Sequence, residues 1–307
     1  MGIGHPPMFH KILWHYRAFE VYYFTNPPTS YFCALLLKNQ YRIAVWDLYP
    51  NALKSVGINE HSLVWHLWSC VNRKAFSKAQ RIVTLGESMK AQISMYCPED
   101  HITVTMPWMG SDKLHSVAKR NNPFVLENNI GDKFVVLYSG NIGYTHSVEV
   151  LVDVAKLMND DEGVVFLIVG RGKKKEDIEQ MVVNDGLSNV MILDFQPVEM
   201  FPYSLSSADL GVVTLDENVG AVSVPSKTFN LFAVGAPILA IANQETELYR
   251  LLSHYENGEC FSKQDVEGMA RFIRELKNTP DLHRRYSENS LRAAKDFTYH
   301  NAKLYFE

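Results

Sequence analysis

Cysteine is scarce in this sequence and long apolar runs are missing, and each shortage argues against a class of protein. The four cysteines, Cys33, Cys70, Cys97 and Cys260, form no Cys-x-x-Cys pair and have no histidine nearby at ligand spacing. That pattern argues against a disulfide scaffold or a small zinc module and for a reducing compartment. The longest near-continuous apolar stretch, Leu231–Ala242, is broken by Gly235 and Pro237. It falls well short of the roughly 20 residues a membrane-spanning helix needs. Met1 to Pro7 show no basic region leading into an apolar one, so no secretory signal is expected. Positive charge is not in excess either: 30 Lys and Arg stand against 34 Asp and Glu, a formal net charge of −4. Nucleic acid is therefore not an expected partner. Internal repeats and low-complexity tracts are lacking, and the expectation is a cytoplasmic protein.

What is present is the composition of a folded protein, 47% hydrophobic and 21% charged over 307 residues. That length exceeds one ordinary core and suits two domains. Short β-rich runs alternate with longer amphipathic ones. Val21–Phe24, Ile43–Trp46, Ile82–Leu85 and Ile102–Thr105 have the pattern of short buried strands. Between them Ser30–Asn39, Ser62–Ala79 and Ser88–Cys97 have helical spacing, each with a serine at its start. The polar stretch 119–131 is expected as a linker. Beyond it Phe134–Tyr138, Val164–Val169, Val190–Leu193, Leu210–Thr214 and Pro237–Ile241 are apolar enough for strands covered on both faces. Helical segments near 147–158, 174–185, 198–207 and 226–234 separate them, and the tail from Asp265 is helical. This alternation predicts an α/β protein with two Rossmann-like, doubly wound domains. Residues 1–118 form the first and 132–290 the second, with 291–307 a C-terminal helix that returns to the first.

In such a fold, ligands bind at the carboxyl ends of the strands. Three places there carry candidate residues. Tyr138-Ser139-Gly140-Asn141-Ile142-Gly143 follows a strand, and its glycines would let backbone N–H groups approach a ligand. A tight turn without a ligand is the alternative. Val169-Gly170-Arg171-Gly172-Lys173-Lys174-Lys175 could face a phosphate through Arg171 or Lys173; equally, the lysines could be the solvated first turn of a helix. It lacks the third glycine of a dinucleotide fingerprint. The third place, Val224-Pro225-Ser226-Lys227, suits the start of a helix, with Ser226 as its cap. First-turn N–H groups, the helix dipole and the Lys227 ammonium would converge there on a diphosphate; a capped helix with an exposed lysine is the plainer reading. Ala233 and Gly235 are small where this helix must pack and end, and Pro237 stops it.

The run from Ser226-Lys227 to Gly235-Ala236-Pro237 resembles the signature of retaining glycosyltransferases of the GT-B fold, glycosyltransferase family four. The branch it most resembles builds bacterial cell-surface polysaccharides. Further similarities follow in order over residues 40–300. They are Asp47-Leu48-Tyr49-Pro50 in the acceptor domain, Ile82 to Lys90 before the linker, Tyr138 to Gly143, Phe195-Gln196-Pro197, and Ala208-Asp209. The resemblance implies transfer of a sugar from a UDP- or GDP-sugar to a glycan or polyprenyl-linked acceptor. Anomeric configuration would be retained, and no metal or other cofactor would be needed. It places the nucleoside at Phe195, Gln196 and Asn230, and the diphosphate at Gly143, Ser226 and Lys227 with Arg171 or Lys173. The sugar falls at Gly220, Ala221, Val222 and Ser223. Asp47 becomes the candidate catalytic residue, with capping of the turn after it as the alternative. Metal independence agrees with the lack of any Asp-x-Asp pair.

The departures matter as well. The Glu pair of many relatives falls at Val222 and Asn230, their Arg and Lys after the first donor-domain glycine fall at Asn141 and Ser147, and a His falls at Trp46. Asn230 can still bond a ribose hydroxyl but supplies no charge. A rival reading is therefore a non-catalytic subunit that supports an active partner enzyme. A sugar-nucleotide epimerase would want an early glycine turn that the chain lacks. The first domain is expected to be shortened, because Val21 lies early and no apolar strand precedes Gly2-Ile3-Gly4. Finally, Ser62 to Lys78 interleaves Leu63, Trp65, Leu67, Trp68, Val71 and Phe76 with Arg73, Lys74 and Lys78. That helix either rests on an anionic membrane, giving a peripheral location, or is a core helix with a polar outer face.

Overall fold

A computed structural model describes residues 18–37, 39–108, 114–143, 146–215 and 225–306. The chain divides into two compact units. The first contains residues up to Pro107 and the C-terminal segment from Ala302; the second contains Trp108–Gly220 and Pro225–Asn301. Among the described residues, no helix is long and apolar enough to cross a membrane.

The first unit is a four-stranded parallel sheet of β1 (Val21–Phe24), β2 (Tyr41–Val45), β3 (Arg81–Thr84) and β4 (Ile102–Val104), side by side in chain order. Ile43, Ala44, Val45, Ile82 and Val83 are buried, as strands covered on both faces require. Helix α1 (Leu63–Phe76) connects β2 to β3, and α2 (Glu87–Ile93) connects β3 to β4. Ser62 caps α1, its hydroxyl oxygen accepting the Trp65 N–H at 3.2 Å. The cap position of α2 is Gly86 rather than Ser88. The helix expected over Ser30–Asn39 is a shorter 3-10 segment, Ser30–Leu35. Its buried Tyr31 and Ala34 lie three residues apart, the spacing that 3-10 geometry superposes. Under α1 the polar groups are mutually satisfied. Tyr31 donates to Asn72 Oδ1 at 2.6 Å, Asn72 Nδ2 to the Tyr49 carbonyl at 2.6 Å, and Trp68 Nε1 to the Tyr31 oxygen at 2.9 Å.

The second unit is a six-stranded parallel sheet. Its strands are β5 (Phe134–Asn141), β6 (Val164–Arg171), β7 (Val190–Leu193), β8 (Leu210–Thr214), β9 (Ile238–Ile241) and β10 (Gly258–Phe261), in the order β10-β9-β8-β5-β6-β7. Counted within the unit, that is the 3-2-1-4-5-6 order of doubly wound folds, with its reversal between β5 and β8.

The stretch expected as a linker is folded into this unit. It contains α3 (Pro123–Glu127), capped by Asn122, which accepts the Phe124 N–H at 3.0 Å. Phe124, Val125 and Ile130 are buried, and Asn122 also donates to the Tyr203 carbonyl. Three core residues scattered among asparagines and charges are enough to dock it. The remaining helices are α4 (Glu149–Lys156), α5 (Lys175–Asn184), α6 (Phe201–Ser206), α7 (Ser226–Ala233), α8 (Glu247–Tyr255), α9 (Val266–Asn278) and α10 (Pro280–Ala294). Edge strand β10 carries no strong sequence signal, since Gly258-Glu259-Cys260-Phe261 lacks β-branched residues. The C-terminal stretch is not one helix. Helix α10 ends at Ala294, a 3-10 segment follows at Tyr299–Tyr305, and Arg42 Nη1 reaches the Phe306 carbonyl at 2.9 Å.

Candidate functional site

Strands β5 and β8 pair only through Val136 with Leu210 and Leu137 with Gly211. Their backbone pairing stops at Leu137, at the place where the strand order reverses and where doubly wound folds form a ligand crevice at the carboxyl ends of the strands. Tyr138 follows immediately on β5. It is fully buried, and burial holds its phenol well above the usual tyrosine range, so it stays protonated. Its hydroxyl donates to the Asn141 carbonyl at 2.6 Å and leaves the oxygen as an acceptor. The Lys227 ammonium fills that role, at 3.1 Å from the Tyr138 oxygen and 4.2 Å from the ring centroid.

Lys227 is the electrostatic centre of the crevice. Burial pulls its pKa down to about 8, and no acidic side chain among the described residues pairs with it. Holding the charge there instead of in water costs on the order of 3 kcal/mol. An ammonium has three N–H donors, and Tyr138 takes one. An anion entering the crevice would meet the other two and recover the lost solvation.

The glycines of the first two motifs exist to let chains pass. Gly140 has φ +151°, and a Cβ there would come 3.0 Å from Lys227 Nζ. A Cβ on Gly170 would lie 1.9 Å from the Gly140 carbonyl oxygen, an impossible distance. The turn is pinned further by Ile142 N–H to the Arg171 carbonyl at 2.9 Å and Lys174 N–H to the Ile142 carbonyl at 3.1 Å. Gly143 lies directly after this pinned segment.

Strand register sets Arg171 opposite Asn141, one residue past Gly140. Its guanidinium stacks over the Phe195 ring at 5.1 Å, and Phe195 is half exposed. Gln196 folds back to donate to the Asp194 carbonyl at 2.8 Å, while Asp194 ion-pairs with Lys175. Lys174 pairs with Glu149, which leaves Lys173 exposed in the turn. The geometry thus links Arg171 to the Phe195 platform.

At the start of α7 the order differs from the expected one. Pro225 occupies the cap position with extended ψ, and Ser226 is the first helical residue, exposed and making no side-chain cap. A helix without a side-chain cap keeps first-turn N–H groups for other acceptors. Asn230, half-buried, lies three residues past Lys227 and so on the same side of α7. Gly220, Ala221, Val222 and Ser223 lie outside the described residues.

Two residues fall elsewhere. Asp209, one of the residues that carry the resemblance, precedes β8 at the opposite end of the sheet. It accepts the Val135 N–H at 2.7 Å and ion-pairs with Lys119, a structural clamp on the strand starts. Asp47 belongs to the first unit, where Thr25 Oγ1 accepts the backbone N–H of Trp46 at 3.1 Å and of Asp47 at 3.2 Å. The 3-10 helix that follows, Asn51–Val56, has Pro50 at its cap position and no side-chain cap. The residue that sequence reasoning missed as part of the site is Tyr138. Its only signal was a tyrosine as the last buried residue before the glycine turn. Among the described residues, no three His, Cys, Asp or Glu side chains gather to hold a metal ion.

Comparison with known proteins bears on this arrangement. Over 236 residues the chain is 23% identical to WbjE of Pseudomonas aeruginosa, named a probable glycosyltransferase, covering 76% of this chain and 59% of that protein. Over 164 residues it is 30% identical to WcaI of Escherichia coli (strain K12), a protein named for colanic acid glycosyl transfer, covering 52% and 40%. The matched stretches thus span less than two thirds of either relative. The solved structure of Anabaena HepE in complex with UDP shares the fold, with a TM-score of 0.75 at 13% identity over 97% of this chain and 80% of that one. With the family model of the group 1 glycosyl transferases matching residues 120–293, more than half of its length, the chain belongs to that family.

Proposed function

We propose that the chain transfers a sugar from a nucleoside-diphosphate sugar to a glycan or polyprenyl-linked acceptor, with retention of configuration and without a metal. The observation that carries this reading is the Lys227 ammonium at the switch-point crevice, its pKa lowered by burial and with no carboxylate partner among the described residues. In the reaction, the bond between the anomeric carbon and the β-phosphate oxygen breaks, and negative charge builds on that oxygen. A preorganised cation and free helix-terminal N–H groups in a dry crevice stabilise that charge without reorganising. Lys227 and the N-terminus of α7 take this role, beside the Gly140–Gly143 turn. Arg171 and Phe195 offer a planar platform for the nucleoside with Gln196 beside it, and Asn230 can reach a ribose hydroxyl. For the donor, taken as UDP- or GDP-linked, the support for UDP comes from a relative alone: HepE was solved in complex with UDP. Asp47 remains the candidate acceptor-side catalytic group.

A second reading, a non-catalytic subunit, draws on Asn230 standing where many relatives carry a glutamate. A screen of nucleotide sugars read by release of nucleoside diphosphate separates the two. Release that depends on an added glycan acceptor supports transfer. Binding of UDP or GDP with no release from any donor supports the subunit reading.

A further inference from the structure

Tyr138 ends the apolar run of β5, where a packing role alone would be served by a side chain without a polar atom. It is fully buried, so its hydroxyl has to find partners inside the protein. The proton goes to the Asn141 carbonyl at 2.6 Å, in the turn after β5. The oxygen faces Lys227 Nζ at 3.1 Å, and the same ammonium stands over the ring, 4.2 Å from its centroid. The Thr214 hydroxyl, buried at the end of β8, also acts on this oxygen and offsets part of the effect of burial on the phenol. Glu149, itself paired with Lys174, acts on the phenol from α4. One side chain thus ties the glycine turn and the end of β8 to the start of α7.

Lys227 has little else to fix it. A lysine carries its charge on a flexible four-carbon stem. Among the described residues its ammonium makes this one hydrogen bond, and burial alone lowers its pKa. Gly140 leaves just enough room for it, since a Cβ there would come 3.0 Å from Nζ and 3.4 Å from Cε. Tyr138 is closed off from solvent and does not reach a ligand in the crevice, so its contribution passes through Lys227.

We propose that Tyr138 is a positioning residue for the donor site. Its oxygen and ring face hold the Lys227 ammonium in place and in its charged form, with two N–H groups left for an anion. The identity of that anion rests on the diphosphate reading above, whereas the tie between Tyr138 and Lys227 can be tested without any ligand.

The test is Tyr138→Phe in the full chain, which removes the oxygen and keeps the ring. In the ligand-free chain, competitive labelling of Lys227 across pH, read by mass spectrometry, gives the midpoint at which the amine gains its proton. The expected midpoint is lower than the parent's, because the charged form has lost an acceptor. In calorimetry near neutral pH, affinity for UDP or GDP should fall by about tenfold. Its alkaline decline should also begin at a lower pH. Tyr138→Leu removes the ring as well and should lower both further; if that variant does not fold, Tyr138→Phe decides alone. A role in packing only would lower the thermal unfolding midpoint and leave the Lys227 titration where the parent has it. A parent-like Lys227 midpoint in Tyr138→Phe therefore overturns the proposal, as does parent-like nucleotide affinity. A parent that binds neither UDP nor GDP would instead count against the diphosphate reading, and the Lys227 midpoint would still decide for or against Tyr138.

Discussion

The two units use the same alternation of strand and helix, yet their sheets are wound differently. In the first, β1 to β4 stand in chain order. Each connection steps the same way, and right-handed crossovers then lie on one face. In the second, the chain moves outward from β5 to β7, returns to β8 beside β5, and continues the other way. That reversal sends helices to both faces and leaves a crevice between β5 and β8. The comparison teaches that the candidate site follows from connectivity. Lys227 and Arg171 are far in sequence from the Tyr138–Asn141 segment and come beside it because β5 is central and both its neighbours end at the same edge. The buried polar groups differ in the same sense. Under α1 of the first unit, Tyr31, Asn72 and Trp68 satisfy one another. In the second, Lys227 is left with donors to spare.

The largest expected effect comes from closing the crevice wall. Gly170→Ala drives a methyl group into the Gly140 carbonyl, and should destabilise the second unit by about 3 kcal/mol or more. Chemical denaturation followed by hydrogen exchange would place the loss on β5 and β6. An unchanged midpoint would mean that these strands are not so close. Asn72→Ala is the counterpart in the first unit. It orphans the Tyr31 hydroxyl and the Tyr49 carbonyl, at about 2–3 kcal/mol. The expected exchange pattern is faster around α1 with β5 and β6 unaltered.

Lys227→Met separates binding from stability. Calorimetry should show UDP or GDP affinity falling by roughly 30-fold or more, about 2 kcal/mol. Thermal stability should hold or rise, because a buried ammonium with no carboxylate partner among the described residues has been removed. Parent-like affinity would remove the diphosphate assignment.

The pH profile follows from the same group. Lys227 is lowered to about 8 in the folded chain against 10.5 ordinarily. Between those values the unfolded chain holds a proton that the folded chain has released, so this group makes stability rise with pH across that window. Anion binding has the opposite sign. It needs the ammonium, so affinity should fall as pH climbs above about 8, by up to about tenfold for each further pH step of one, with proton uptake on binding. Titrations in buffers of different ionisation enthalpy measure that uptake, and Lys227→Met should abolish it.

Asp209→Asn gives the smallest effect. Its carboxylate clamps Lys119 and Val135 at the far end of the sheet. Loss of about 1 kcal/mol in stability is expected, with nucleotide affinity unchanged. A large drop in affinity would contradict its placement away from the crevice.

Much of the fold was legible in the residues. Runs such as Val164–Val169 and Leu210–Thr214 are β-branched and apolar on both faces, which only a covered parallel strand tolerates. Ser62 and Asp265 cap their helices through the side-chain bonds that their types favour. Segment 119–131 was misleading because three core residues among polar ones leave no periodic stripe. Lys227 was visible as a candidate, but as a cation on a capped helix start; the cap is in fact Pro225.

By itself, the sequence determined where strands and helices form, where glycine must permit close passage, and that a lysine opens α7. These depend on neighbours within a few residues. Only the tertiary structure decided that this lysine is half-buried and held by Tyr138, that Arg171 meets Phe195, and that Leu63 and Leu67 face outward on α1. Burial, strand order and the pairing of charges are set by residues distant in the chain, and local pattern carries no record of them.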